Sequence, residues 1–177
     1  EDIITVSMHM LPGNLSYLLG EDFGAYFVWD AMRVIDFLLS REEVDPAQLG
    51  ITGRSGGGTL TTYLAALDDR VQYYSPVQCL TRLSLSVARN GIGDCEQSIL
   101  GSANPDGFDY ADVLWAAWPK PLMINAGLQD FFFIEGLREL EGEIRQLYQL
   151  LGREDDVAVM TADCGHENTP ETRSNTY

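Results

Sequence analysis

Basic side chains are scarce in this sequence: 11 lysines and arginines stand against 27 aspartates and glutamates, a formal charge of −16. Such an excess repels phosphate backbones and anionic lipid, which argues against nucleic-acid and membrane-surface roles and favours neutral or cationic substrates. Histidine and cysteine are few as well. Two histidines and three cysteines, far apart, lack zinc-site spacing, and the acidic residues form no calcium-loop pattern, so no metal and no cofactor is expected. Three cysteines cannot all pair within one chain. Cys79 and Cys95 bracket an irregular stretch and could close a disulfide, whereas Cys164 reads as a small buried thiol. No apolar run reaches the length of a membrane-spanning helix, and no signal segment is visible.

What is present is a short apolar run that stops at a serine among glycines, Leu49-Gly50-Ile51-Thr52-Gly53-Arg54-Ser55-Gly56-Gly57-Gly58. It reads as a buried strand, a strained turn and a helix start, the pattern of a nucleophile elbow. A serine at such a turn is forced into a sparsely allowed backbone conformation, and the helix passes close to the strand it leaves. Gly53 and Gly57 are expected to clear that space. Ser55 then projects its hydroxyl from the strand end, and the Gly56 amide points at the place where an oxyanion would form. Leu60, Tyr63, Leu64 and Leu67 follow at helical spacing, as an apolar stripe behind the serine. The elbow lacks the lysine and spacing of a phosphate-binding loop.

A serine nucleophile needs a base. His9 lies near the start, while His166 follows the strand-like run Val157-Ala158-Val159-Met160-Thr161 and fits the chain order serine, acid, histidine. The acid is expected after an intermediate strand. Lys120 to Ala126 is a short apolar run behind a proline boundary, and Asp130 comes just beyond it. Asp130 would accept a hydrogen bond from His166 and stabilise the imidazolium. Asp163 is its serious competitor; Asp155 and Asp156 read as a solvated turn.

The remaining pattern fits one α/β domain, a mostly parallel sheet flanked by helices. Residues 24 to 39 place Val28, Trp29, Met32, Ile35 and Leu39 on one helical face, and Val71 to Val77 reads as a strand. Leu80 to Tyr110 shows no clear period and is broken by turn signals, so residues 80–110 are assigned to a lid or pocket wall. Leu137, Leu140, Ile144, Leu147, Tyr148 and Leu151 define a packing helix. Phe131 and Phe132, directly after the proposed acid, are candidates for a substrate pocket, although buried packing is the favoured reading of these aromatics.

These residues carry a family resemblance. Val28 to Leu38, Ser40 to Pro46, the elbow with Tyr63 to Arg70, Gly93 to Gln97, Asp130 to Phe132 and the Gly165-His166 region resemble bacterial acetyl xylan esterase-like α/β-hydrolases, relatives of the dienelactone hydrolase and prolyl oligopeptidase groups. The resemblance covers most of the chain. It implies Ser55 as nucleophile, Asp130 as acid, His166 as base, and an acetylated polysaccharide as substrate. Arg54 and the pair Glu167-Asn168 depart from the family's commonest residues, which makes Arg54 a candidate pocket residue and substrate preference a point of difference.

The family also has several strands and a second oxyanion donor before the elbow. Here the elbow comes at residue 55 of 177, so the chain is expected to cover the C-terminal part of the fold, from just before the nucleophile strand. The function expected is a serine carboxylic ester hydrolase acting through an acyl-enzyme on a small-molecule or oligosaccharide ester, with removal of acetyl groups from a carbohydrate as the leading reading. Two alternatives stand beside it: a peptidase of the prolyl oligopeptidase type, and a non-catalytic binding domain or half-sheet that assembles with a complementing segment or a second copy. Cellular location is not readable.

Overall fold

The computed structural model describes residues 4–91 and 108–176. Four strands, β1 (Gly50–Arg54), β2 (Tyr73–Val77), β3 (Leu122–Gly127) and β4 (Val157–Ala162), pair in parallel in sequence order. Parallel neighbours need crossovers, and here helices supply them: α3 (Gly56–Leu67) after β1, α4 (Leu83–Asn90) and α5 (Tyr110–Ala116) after β2, and α6 (Ile134–Leu150) after β3. Because the order never reverses, right-handed crossovers stack these helices on one face. Contacts of α3 with β1, β2 and α5, and of α6 with α5 and β4, follow that layering.

The strands alternate accordingly. Leu122, Ile124 and Ala126 of β3 join Tyr74, Leu64, Leu114, Leu140, Ile144 and Tyr148 in the buried core. Asn125, pointing the other way, donates from Nδ2 to Ser75 at 3.2 Å and to Thr176 at 3.4 Å, beyond α7 (Pro170–Ser174). Two N-terminal helices, α1 (Ile4–Leu18) and α2 (Phe23–Leu39), pack on each other, and α2 packs on α3. Asp22 caps α2 by accepting from the Gly24 amide at 2.8 Å.

Several expectations change. Among the described residues β1 has only β2 beside it: Thr52 and Arg54 are exposed, Gly50, Ile51 and Gly53 half-buried, and Leu49, just before the strand, is buried. On α2 the predicted face is narrower. Val28 and Ile35 are buried and Met32 and Leu39 pack against the core, but Trp29 is exposed, with the Arg33 guanidinium 4.4 Å from its ring centroid. Leu67 likewise ends α3 in solvent. In its place α3 buries Thr59, Thr61 and Thr62, the last two returning their hydroxyls to the carbonyls of Gly57 and Gly58 at 2.8 and 2.9 Å.

Part of the stretch expected to be irregular is helical. The signal missing from α4 is a local cap: Arg82 offers none, and the Leu83 amide is satisfied by the Asp109 carboxylate at 3.1 Å, from a residue 26 positions away. Cys79 and Cys164 are buried free thiols. Cys95 and residues 92–107 of the lid assignment lie outside the described residues.

Candidate active site

Ser55 sits between β1 and α3 with φ 57° and ψ −125°. Positive φ crowds the side chain of any non-glycine residue, so this conformation persists only where the surroundings impose it. They do so through backbone. The Ser55 amide donates to the Val77 carbonyl at 2.9 Å, and the Ser55 carbonyl accepts from Gly58 and Thr59 at 2.8 and 3.0 Å. The strand therefore runs directly into the helix.

The close approach falls on one glycine rather than two. A Cβ at Gly53 would lie 2.5 Å from the Gly57 carbonyl carbon, whereas a Cβ at Gly57 would meet open space. It is the backbone of Gly57, not its missing side chain, that crowds the strand. Gly58 is the second tight position: a Cβ there would lie 2.5 Å from Cys79 Sγ and 2.9 Å from the Val77 carbonyl oxygen. As the first residue of α3, Gly56 carries an N–H that no carbonyl within the helix can reach. A cavity of about 300 Å³ opens beside it, lined by His9, Phe27, Leu60 and Tyr63.

His166 and Asp130 meet. Both follow strand ends, Asp130 three residues after β3 and His166 four after β4, and Nδ1 of His166 lies 3.1 and 3.0 Å from the two carboxylate oxygens of Asp130. The Asp130 side chain is 1% exposed, and its Oδ1 also accepts from the Phe132 amide at 3.1 Å. A carboxylate facing Nδ1 selects the tautomer with the proton there, which leaves Nε2 with its lone pair free. Among the described residues no hydrogen bond joins Ser55 to His166. Such links are commonly long before substrate is bound.

The rival acid is turned away. Asp163 is exposed and accepts from Gln129 Nε2 at 2.8 Å, and Asp155 and Asp156 belong to a 3₁₀ turn before β4. Of the aromatics, Phe132 is buried, while Phe131 is 49% exposed and its ring lies against the imidazole at a 40° tilt, with centroids 4.4 Å apart. Phe133 carries the Arg89 guanidinium 4.6 Å from its ring.

Arg54 reaches from the elbow to the histidine loop, donating from Nη1 to the His166 carbonyl and to Gln78 Oε1, each at 3.4 Å. Gln78 had no sequence signal, being one glutamine after a strand. It is 1% exposed, has φ 48°, and donates from Nε2 to the Gly165 carbonyl at 2.9 Å. Cys164, next to it, has its thiol held above the usual range by burial first and by the Glu167 charge second.

Residues 19–131 match the model of the Prolyl oligopeptidase family. The chain is 23% identical over 157 residues to the putative hydrolase YtaP of Bacillus subtilis (strain 168), covering 88% of this chain and 52% of that protein. Among solved structures it superposes on Methylesterase BT1017 with a TM-score of 0.72 at 24% identity, over 86% of this chain and 33% of that one. A glucuronoyl esterase from Solibacter usitatus gives 0.68 at 16% identity, over 86% and 46%. The chain thus spans about half the length of its curated relative, and a third to a half of these solved chains.

Proposed function

The chain belongs to the prolyl oligopeptidase family and has the α/β-hydrolase fold, and from that premise we propose that it is a serine hydrolase cleaving carboxylic esters, with Ser55 as nucleophile, His166 as base and Asp130 as acid. The observation that carries this reading is the two-oxygen contact of buried Asp130 with His166 Nδ1, on loops that leave the same end of the sheet as the strained Ser55.

In this reading Nε2 of His166 takes the Ser55 proton as Oγ bonds to the ester carbonyl carbon. The carbonyl electrons move onto oxygen, where the Gly56 N–H donates to the developing charge. Collapse breaks the bond to the alcohol, which leaves with the proton from His166. Water then attacks the acyl-serine, giving its proton to Nε2, and the acid departs as Ser55 regains its hydrogen. No metal or cofactor enters.

The substrate class proposed is a carbohydrate ester, supported by the methylesterase and glucuronoyl esterases among the structural neighbours, with acetylated sugars placed first on the sequence resemblance alone. Phe131, whose ring lies against the imidazole, and Arg54, which holds the His166 carbonyl, would contact the sugar. Helix α4 would form part of the pocket wall, since Asn90 Nδ2 donates to the Phe131 carbonyl at 3.0 Å. The family match supports one second reading, cleavage of a prolyl amide by the same groups.

Hydrolysis of p-nitrophenyl acetate and butyrate, acetylated xylo-oligosaccharide, a methyl uronate and a prolyl anilide, each against Ser55→Ala, tests the set. Serine-dependent turnover of acetyl esters supports the main reading. Turnover of the anilide alone replaces it with the peptidase, and serine-independent or absent turnover removes both.

A further inference from the structure

Ser55 and Gln78 are the two residues other than glycine that carry positive φ among the described residues, at 57° and 48°. They stand one after the other across the sheet. Arg54 pairs with Val77 in the register of β1 and β2, so Ser55 and Gln78 each come one residue past the end of neighbouring strands, and the Ser55 amide donates to Val77. The strain at Ser55 has a use in the proposed reaction. The left-handed φ of Gln78 is one that a side chain rarely adopts, and it needs a reason of its own.

We propose that Gln78 is a positioning residue that fixes the His166 loop against the elbow. The proposal rests on the reading of Ser55 and His166 given above. Both ends of the Gln78 amide are used: Nε2 donates to the Gly165 carbonyl at 2.9 Å and approaches Cys164 Sγ at 3.6 Å, and Oε1 accepts from Arg54 at 3.4 Å. Arg54 in turn donates to the carbonyl of His166 itself. One buried amide therefore ties the residue before the nucleophile to the residue before the base.

The φ of 48° lets the chain turn off β2 while its amide still donates to the Asn125 carbonyl of β3 at 2.8 Å, and the side chain reaches across to the loop after β4. Gly127, at the end of β3, makes room for the arrangement. A Cβ there would fall 2.7 Å from the carbonyl oxygens of both Cys164 and Gly165, and 3.2 Å from Gln78 Nε2. The loop lies on β3 with no side chain between, and Gln78 closes it from the side.

The test is the rate at which a fluorophosphonate labels Ser55, together with kcat and KM for p-nitrophenyl acetate, in the full chain and in two variants. Gln78→Leu removes both bonds. Gln78→Glu keeps an acceptor for Arg54 and loses the donor to Gly165. Both are expected to lower labelling rate and kcat by roughly 10- to 100-fold, since a base displaced by about 1 Å costs that much, with KM little changed.

Should Gln78→Leu fail to fold, Gln78→Glu decides, and Gly127→Ala displaces the same loop from the other side. Folded variants that label and turn over at the wild-type rate overturn the inference and leave the esterase reading standing. A wild-type chain that does not label at Ser55 overturns both.

Discussion

Asp130 turns both carboxylate oxygens toward Nδ1 of His166, at 3.1 and 3.0 Å, from a side chain almost wholly shielded from water. An amide in its place would keep the shape and present the imidazole with one acceptor and one donor. The Nδ1 proton would then lose its preference, and Nε2 would be protonated in much of the population. Asp130→Asn is therefore expected to fold and to lose about 10⁴-fold in kcat, the scale set by the same change in a serine protease. A loss under tenfold, measured by ester hydrolysis at neutral pH, would remove Asp130 from the role of acid.

The glycines of the elbow are not equivalent, and two single substitutions separate them. Gly53→Ala drives a methyl group into the backbone of Gly57, which cannot yield without moving α3 and the Gly56 amide proposed as oxyanion donor. Gly57→Ala meets open space on an exposed turn of α3. The first is expected to lower both melting temperature and Ser55 reactivity. The second should leave reactivity near wild type and gain up to about 1 kcal/mol of helix stability. Thermal melts with fluorophosphonate labelling check both, and equal effects would mean that the elbow is held otherwise.

That distinction marks where the sequence was legible. Strands with a proline or turn boundary and a continuous apolar run, such as Leu122 to Gly127, announce themselves, and so does α6, whose buried Leu137, Leu140, Ile144 and Tyr148 keep a helical period. Ser55 stands out through its flanking glycines, and Asp130 and His166 through their places after such strands. What failed depended on partners remote in sequence. The cap of α4 comes from Asp109, 26 positions beyond the amide it satisfies. Gln78 acts through Gly165 and Arg54, neither of which is near it in the chain.

Phe131 and Phe132 are neighbours in sequence, yet they face different environments. Phe132 is 7% exposed, so Phe132→Ala leaves a cavity and should cost about 3 to 5 kcal/mol in chemical denaturation. Phe131 is half exposed beside the imidazole. Phe131→Ala should leave stability within about 1 kcal/mol. Its expected effect is on KM for aromatic esters, raised several-fold by loss of a ring against the substrate. A Phe131→Ala variant with unchanged KM on every ester would confine that ring to covering His166.

Acid stability offers a check on the packing behind the site. Arg70 donates to the buried carboxylate of Asp68 from both Nε and Nη2 and reaches Asp36 on α2, tying the end of α3 to the outer helix. Burial alone would raise the Asp68 pKa, but the bonds from Arg70 are the larger effect, and the group is held below the usual carboxylate range. Folded Asp68 thus binds a proton more weakly than unfolded Asp68, whose value lies near 3.9. Its contribution is complete above that value and is lost as pH falls through the lower, folded one. Arg70→Gln removes the contribution, so the gap in melting temperature between wild type and variant should be constant from pH 5 to 8 and shrink below about pH 4. A gap that persists unchanged at the acid end would assign the effect of Arg70 to the packing of its stem and to its bond with the Met32 carbonyl, neither of which titrates.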